Sequence, residues 1–309
     1  MEKERTNSQI TEKNNNTSQS IINQTQNDND NNTNIDRQAF YLERKAERQL
    51  NPGCCLDTLF TSKSKRYKEA CQLYKKAGDK YKSSNQWRKA AACYDNCSKI
   101  KINLKESPIE FYQQSFFCYS KANSDTNAKN IFIKMNQYLE KDGEFYQIGK
   151  NNEQMAIKKE NNENYNEAII YYSEAFKYYE MDGKHESLKN NMQIKTAELM
   201  LIYNHPDGPS KVPIILENIG NNYLKNPITK YSAKDFFGKA ILSIIYYNDD
   251  PSEGRKYINK YKIIDQTFEE STIYNLCCDV INSMENNNIN KLKISIQKYM
   301  RYARLICLY

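Results

Sequence analysis

Glycine, proline and histidine are all scarce in this chain of 309 residues. Nine glycines and seven prolines leave too little turn chemistry for an all-β fold, so helix is the expected structure. The two histidines, His185 and His205, lie outside any recognisable nucleophile or metal-ligand pattern. The sequence also lacks a phosphate-binding loop, a dinucleotide-binding glycine motif, a zinc-protease motif and a Cys-x-x-Cys pair. We therefore predict no catalysis, no ATPase activity, no cofactor, no metal site and no small-molecule substrate.

Long apolar runs are missing as well. The most apolar stretch, Ala240 to Tyr247, is far shorter than the roughly 18 residues that a membrane-spanning helix needs. The N-terminus is polar and charged, unlike a secretory signal. We therefore expect a soluble, cytoplasmic protein. The nine cysteines do not form the spaced framework of a small secreted domain. Those at helical spacing among Ala, Tyr and Leu are expected to be buried thiols: Cys71, Cys93, Cys97 and Cys118.

Charge is distributed unevenly along the chain. Residues 1–36 are rich in Asn, Thr, Gln and Ser. Such a tract buries too little apolar surface to offset its conformational entropy, so we predict a disordered tail. The tail has three basic and six acidic side chains, net −3, and the whole chain carries +7, so the remainder carries +10. A basic body favours an acidic partner, and nucleic acid, an anionic membrane and an acidic coiled coil all fit on charge.

Alanine and aromatic residues recur at helical spacing after the tail. One set lies on a single predicted helix: Ala70, Leu73, Tyr74, Ala77 and Tyr81. A second set repeats the pattern: Ala168, Tyr171, Tyr172, Ala175 and Tyr179. Such helices cannot bury their apolar stripes alone and must stack as antiparallel hairpins. We predict an all-α fold, with a tetratricopeptide-like α-α solenoid over residues 37–225 and a compact helical bundle over residues 226–309.

Proline-containing breaks are expected to end helices at residues 106–108, 205–209 and 248–251. Between the last two, the stretch from Ile228 to Tyr247 is apolar on all sides. We expect it to form one buried helix.

Several segments match one protein family in order along the chain. The most informative is Asn-Pro-Ile-Thr-Lys-Tyr-Ser-Ala-Lys-Asp-Phe-Phe-Gly-Lys-Ala-Ile-Leu at 226–242. The others are Ala-Glu-Arg at 46–48, Lys-Glu-Ala-Cys-Gln-Leu-Tyr at 68–74, Asn-Gln-Trp-Arg-Lys-Ala-Ala-Ala-Cys-Tyr at 85–94 and Tyr-Asn-Glu-Ala-Ile-Ile-Tyr-Tyr-Ser-Glu-Ala at 165–175. Each is a weak pattern alone, but together and in this order they resemble the α-type soluble NSF attachment proteins.

The resemblance implies an adaptor that binds assembled SNARE complexes and recruits the AAA ATPase NSF to disassemble them in vesicle trafficking. In this family, basic residues on the inner face of the helical sheet grip an acidic SNARE bundle. The matching lysines are Lys150 and Lys234, with Lys189 within about a residue of a third position. Glu144 stands where the family tends to have Arg, and a basic position near Thr272 is missing.

A loop near the start of the folded part has a second implied role. Leu56, Leu59 and Phe60 are followed by cations at Lys63, Lys65 and Arg66. Apolar side chains beside cations suit an anionic membrane interface. The residues alone favour the alternative that Leu59 and Phe60 cap the first hairpin's core. The resemblance favours the membrane, because the family carries a membrane-attaching loop there, and so implies peripheral membrane association.

The sequence stops at Tyr309, about one helix before the family's end. The acidic tail and Leu-rich terminus that stimulate NSF in the family have no counterpart, so we expect weak coupling to NSF. Two alternatives remain open from the sequence. One is a generic helical-repeat scaffold that binds a coiled coil or peptide without NSF. The other is an RNA-binding helical array, which the placement of most tyrosines in the predicted core disfavours.

Overall fold

Helices make up nearly all of the described chain. The computed structural model describes residues 33–51 and 61–306, with side chains as far as residue 300, and within these ranges there is no strand. The all-α fold expected from the sequence is confirmed. The chain divides into two compact units, Met1–Asp142 and Gly143–Tyr309.

The first unit is a series of helix hairpins. Its helices are α1 (33–50), α2 (Lys63–Ser83), α3 (Trp87–Asn103), α4 (Ile109–Lys121) and α5 (Asp125–Lys141). From α2 to α5 each helix packs on the next, and the short connections make neighbours antiparallel. Helix α1 already begins at residue 33, so it includes the last four residues assigned to the tail from the sequence. The rest of that tail lies outside the described residues.

The second unit continues the same pattern. Its helices are α6 (Phe145–Asn161), α7 (Tyr165–Asp182), α8 (Glu186–Ile202), α9 (Gly208–Lys225), α10 (Ala233–Asn248), α11 (Pro251–Ile264), α12 (Thr272–Glu285) and α13 (Ile289–Ile306). Consecutive helices pack together, and α10 also packs on α12. The predicted division after residue 225 lies inside this unit, between α9 and α10, and stays a prediction.

The helix boundaries follow the expected breaks, with one correction. Residues 106–108, 205–209 and 248–251 all lie at or between helix ends. At the last of these, the Asp250 side chain accepts a hydrogen bond from the Ser252 backbone N–H at 2.8 Å and caps α11. The single buried helix expected from Ile228 to Tyr247 is wrong at its start. Helix α10 begins only at Ala233, because Asn226 accepts backbone hydrogen bonds from Ile228, Thr229 and Lys230 and ties them into a turn.

Alanine and tyrosine fill the core as the spacing predicts. In the first unit the buried residues on α2 and α3 include the following: Ala70, Tyr74, Ala77, Tyr81, Ala90, Ala91 and Tyr94. In the second unit Ala168, Tyr172, Ala175 and Tyr179 are buried, whereas Tyr171 is half-buried. The four thiols expected in the core, Cys71, Cys93, Cys97 and Cys118, are buried too.

Aromatic rings lie directly on glycines of the preceding helix. A Cβ added at Gly78 would be 3.0 Å from the Tyr94 ring, and one added at Gly149 would be 2.7 Å from the Tyr179 ring. The same holds at Gly220, where a Cβ would be 2.7 Å from Phe237. A Cβ at Gly149 or Gly220 would therefore force the ring to move, and one at Gly78 would be in a very tight contact. Glycine therefore sets how closely α2 and α3, α6 and α7, and α9 and α10 approach.

Five buried tyrosines donate hydrogen bonds from their hydroxyl groups to carboxylates on other helices. Tyr94 donates to Asp79 at 2.6 Å, and Tyr179 donates to Glu153 at 2.6 Å. The remaining pairs are Tyr81 to Glu43 at 3.0 Å, Tyr172 to Glu160 at 2.6 Å and Tyr261 to Glu217 at 3.0 Å. A buried hydroxyl without a partner would cost about 1–3 kcal/mol. These carboxylates therefore fix the position of each ring along the axis of the neighbouring helix.

We expect Gly149→Ala to destabilise the protein. Alanine gains about 1 kcal/mol of helix propensity, but the added methyl meets a ring that cannot retreat, because its hydroxyl is held by Glu153. Overpacking of this kind costs about 1–3 kcal/mol, and a ring that cannot retreat should bring the cost to the upper end of that range. After the gain in helix propensity, the net loss should be about 2 kcal/mol in urea unfolding. Gln154→Ala, at an exposed position of α6, is the matched control and should stay within about 0.5 kcal/mol. A Gly149→Ala protein as stable as the control would contradict the packing account.

Alkaline pH should destabilise the fold steeply. Burial, and then the adjoining carboxylate, raises the pKa of Tyr172 and of Tyr179 well above the usual 10.0, and burial raises the pKa of Tyr74 to about 12. Above pH 10 the unfolded tyrosines ionise while the folded ones keep their protons. The stabilisation is thus complete below pH 10 and lost as pH rises toward the folded pKa, by about 1.4 kcal/mol per pH unit for each such group.

The measurement is urea unfolding from about one pH unit below to about two units above the usual tyrosine pKa, that is, between about pH 9 and pH 12. Tyr179→Phe should reduce the fall of the unfolding free energy with pH by about 1.4 kcal/mol per pH unit, which is the contribution of one proton. Tyr41→Phe, at an exposed ring of α1, is the control and should leave the slope unchanged. Equal slopes for Tyr179→Phe and wild type would contradict a raised pKa of Tyr179 in the folded protein.

Candidate partner-binding surface

The three candidate lysines lie on alternate helices of the second unit. Lys150 is on α6, Lys189 on α8 and Lys234 on α10, each within the first two turns. Consecutive helices here are antiparallel, so the alternate helices α6, α8 and α10 run in the same direction. Their N-terminal turns therefore lie at one edge of this unit. The fold thus brings the three lysines to the same edge, although they are separated widely in sequence.

The three lysines differ in how available their charges are. Lys150 is exposed and Lys234 half-buried, and within the described ranges neither has a carboxylate within ion-pair distance. Lys189 is different, because its Nζ lies 2.9 Å from Glu186 Oε2 and its side chain is only 15% exposed. An acidic partner can take up the charges of Lys150 and Lys234 directly. At Lys189 the partner must first displace Glu186.

Two exposed apolar side chains beside Lys234 escaped the sequence analysis. Ile228 is 88% exposed and Tyr231 is 65% exposed. They lie in the turn before α10, where Lys230 Nζ is 4.9 Å from the centre of the Tyr231 ring. The sequence signal was available in Asn226-Pro227, a turn-forming pair that keeps these residues out of the helix. This turn places apolar and cationic side chains together on the surface.

The apolar part of the predicted membrane loop, Leu56, Leu59 and Phe60, lies outside the described residues. The cations that follow are on the first turn of α2, where Lys63 and Lys65 are exposed and Arg66 is half-buried. That turn contains no acidic residue. Cations at a helix N-terminus oppose the helix dipole, so local stability does not explain their placement.

Among the residues that the structure describes, no cluster of His, Cys, Asp and Glu could hold a metal ion. No described helix is both long enough and apolar enough to cross a bilayer.

Comparison with known proteins identifies the fold's family. The family model described as soluble NSF attachment protein, SNAP, matches residues 37–306. The chain belongs to the SNAP family. Its curated relatives include a probable vesicular-fusion protein sec17 homolog of Neurospora crassa, which is 26% identical over 268 residues, covering 85% of this chain and 90% of the relative. Human alpha-soluble NSF attachment protein is 24% identical over 278 residues, covering 89% of this chain and 92% of the relative.

Membership of the SNAP family confirms the resemblance inferred from the sequence motifs. The vesicular-fusion protein SEC17 of Komagataella phaffii is similarly related, with 25% identity over 272 residues, covering 87% of this chain and 90% of that protein. The matched region of the SNAP model includes α2 to α13 completely. It therefore contains all three candidate lysines and the turn with Ile228 and Tyr231. The roles of these individual residues stay predictions.

Proposed function

We propose that this protein is an adaptor that binds assembled SNARE complexes and recruits an NSF-type ATPase for their disassembly in vesicle fusion and trafficking. The observation that carries this function is the SNAP family match over residues 37–306. The names of the relatives agree with it, since they describe vesicular-fusion and NSF attachment proteins.

The proposed SNARE-binding residues are Lys150, Lys234 and Lys189. Their support is their common edge on α6, α8 and α10 and the net positive charge of the chain. One exposed ion pair contributes only about 0–1 kcal/mol, so several lysines must act together on one acidic bundle. Complementary charge would mainly raise the association rate and select the register of the bundle. We extend this site to Ile228 and Tyr231, whose exposed apolar surface can be buried against the bundle.

Membrane attachment is proposed for the loop before α2. Leu56, Leu59 and Phe60 would enter the interface while Lys63, Lys65 and Arg66 meet anionic headgroups. Support comes from the exposed cations at the start of α2 and the absence of acidic residues from that turn. The protein would thus be cytoplasmic and associate peripherally with the membrane on which the SNARE complex is anchored. Binding by the loop and by the bundle surface would then reinforce each other.

The energy for disassembly would come from ATP bound to the partner ATPase, and this chain would bind the SNARE bundle on which the ATPase acts. We propose that it is not itself an enzyme and takes neither nucleic acid nor a small molecule as its partner. In keeping with this, the described tyrosines that are most buried pack against alanine and glycine and are not available as a base-stacking surface.

Charge reversal tests the SNARE-binding surface. We expect Lys150→Glu with Lys234→Glu to weaken binding to an assembled SNARE bundle by about tenfold or more, because two attractive contacts become repulsive. The matched control is Lys129→Glu with Lys225→Glu, which reverses two exposed lysines on the odd-numbered helices α5 and α9. Binding measured by biolayer interferometry should be close to wild type for the control. Equal binding by both double variants would remove Lys150 and Lys234 from the site.

Disassembly tests the function itself. A pre-formed SNARE bundle is incubated with NSF and ATP, with this protein as the only adaptor, and bundle binding is measured in the same samples. We expect binding together with ATP-dependent disassembly, at a low rate because coupling to NSF is expected to be weak, and no ATP hydrolysis by this protein alone. Binding without disassembly would mean that the chain grips SNARE bundles but does not couple them to NSF. No binding would refute the adaptor function and favour a scaffold for another partner.

A further inference from the structure

Helix α1 presents its positive and negative side chains differently. Its three carboxylates are half-buried and have partners within the protein. Asp36 and Glu43 accept hydrogen bonds from hydroxyl groups near the end of α2, at 2.7 and 3.0 Å, and Glu47 lies 3.0 Å from a guanidinium of the same helix. All four cations of α1 are exposed, and only the second has a carboxylate within ion-pair distance among the described residues: Arg37, Arg44, Lys45 and Arg48.

Two exposed aromatic rings lie on the same side of α1 as these cations. Phe40 is 57% exposed and Tyr41 is 63% exposed, and the Arg44 guanidinium lies 5.9 Å from the centre of the Phe40 ring. The opposite side of the helix is anchored in the core by Ala39 and Ala46, which are fully buried. At about 100° per residue, six exposed residues fall within one arc of about 140°. They form the outer face of α1: Arg37, Phe40, Tyr41, Arg44, Lys45 and Arg48.

The hairpin of α1 and α2 places this outer face beside the proposed membrane loop. Lys80, near the end of α2, donates a hydrogen bond to Gln38, near the start of α1, at 2.8 Å. The two helices are therefore antiparallel, and the end of α1 lies beside the start of α2. That start carries the exposed Lys63 and Lys65. Residues 51–62 connect the two helix ends, so cations stand on both sides of the loop.

We propose that the outer face of α1 lies on an anionic lipid bilayer together with the loop before α2. Its guanidinium and ammonium groups bind the phosphates and carboxylates of the lipid headgroups, and their apolar stems lie along the interface. The rings of Phe40 and Tyr41 enter the boundary between headgroups and acyl chains. This contact rests on the membrane attachment proposed above for the loop, and it adds a helix face to that attachment.

Charge and position together favour a lipid surface over an acidic protein. Three of the four cations on the outer face are arginines, and a guanidinium can bind a phosphate through two parallel hydrogen bonds. From Arg37 to Arg48 the face extends about 16 Å along the helix. A bilayer is a continuous anionic surface, so it can contact this length of helix, the loop and the start of α2 at once. The first helix of a solenoid ordinarily has a polar outer face, which does not account for Phe40 and Tyr41.

Vesicle flotation of the full chain tests this contact. A basic triple, Arg37→Gln with Lys45→Gln and Arg48→Gln, leaves the ion pair of Arg44 and Glu47 in place. The vesicles are phosphatidylcholine with and without phosphatidylserine. We expect the triple to weaken binding to the phosphatidylserine vesicles by about tenfold or more. Added salt should weaken binding of the wild type more than binding of the triple, because fewer charges of the triple remain to be screened.

The control for the basic triple removes the same amount of charge elsewhere. Lys76→Gln, Arg88→Gln and Lys129→Gln neutralise three exposed cations of α2, α3 and α5. This control has the same net charge as the basic triple, so a difference between them reports the position of the charges. We expect the control to bind the phosphatidylserine vesicles within about twofold of the wild type.

An aromatic pair tests the apolar part of the contact. Phe40→Gln with Tyr41→Gln should weaken binding to the same vesicles by about tenfold, because two rings no longer enter the interface. Its control is Ile170→Gln with Ile214→Gln, at positions that are 59% and 60% exposed, and it should bind as the wild type does. The basic triple keeps both rings, so it still tests the contact if the aromatic pair folds poorly.

The loop variant Leu59→Asn with Phe60→Asn separates this contact from the loop's own. Weaker flotation of the loop variant, with unchanged flotation of both α1 variants, would overturn the α1 contact and keep the loop. Weaker flotation of the α1 variants with an unaffected loop variant would support the α1 contact and remove the loop. A wild-type protein without preference for phosphatidylserine would also overturn the α1 contact.

Binding of a SNARE bundle in lipid-free solution is measured on the same variants. We expect the basic triple to bind the bundle as the wild type does, so that failure of the adaptor function is seen separately in the wild type. A basic triple that loses bundle binding but floats normally would overturn the lipid contact and assign the outer face of α1 to an acidic protein.

Discussion

The packing of an aromatic ring on a small residue of the preceding helix is the interaction on which the rest of the structure depends. Tyr179 shows it most fully, because its ring lies on Gly149 and its hydroxyl is held by Glu153. The glycine sets how far apart α6 and α7 lie, and the hydrogen bond sets their relative height. Similar pairs at Tyr94 and Phe237 repeat the constraint on other hairpins. Each helix is thereby held in one rotation about its axis.

That rotation decides which charges reach solvent. With the Ala, Gly and Tyr stripes turned inward, Lys150 is left exposed on α6 and Lys234 half-exposed on α10. The half-buried carboxylates Glu153 and Glu160 accept hydrogen bonds from tyrosine hydroxyls. Core packing therefore also affects the surface charge. Tyrosine hydroxyls bind some of the carboxylates, whereas Lys150 stays exposed. Lys189, paired with Glu186, is the exception.

Positive charge gathers in two places, at the start of α2 and along α13. The first turn of α2 has Lys63, Lys65 and Arg66 without an acidic residue, against the helix dipole. Helix α13 contains five cations and no carboxylate. In the sequence, large apolar residues stand near both groups of cations. Cations that oppose the helix dipole are expected where a partner supplies the compensation, and an anionic lipid surface would do so at the start of α2.

Much of the fold could be predicted from the sequence, because its signals are local. The spacing of Ala and Tyr predicts the helices and their buried faces, and the proline breaks predict where they end. The collinear motifs indicated the SNAP family and hence the candidate lysines. The start of α10 was mispredicted, since apolar composition suggested burial while the Asn226 turn keeps Ile228 and Tyr231 at the surface.

The sequence by itself determined the helical class, the core stripes and the family, since each depends on residue order and spacing along the chain. The tertiary structure alone decided which of the lysines are available, which tyrosine meets which carboxylate, and which apolar residues of the turn before α10 and of α13 stay exposed. These properties depend on distances between helices that are far apart in sequence. No periodicity within one helix specifies what the neighbouring helix places against it.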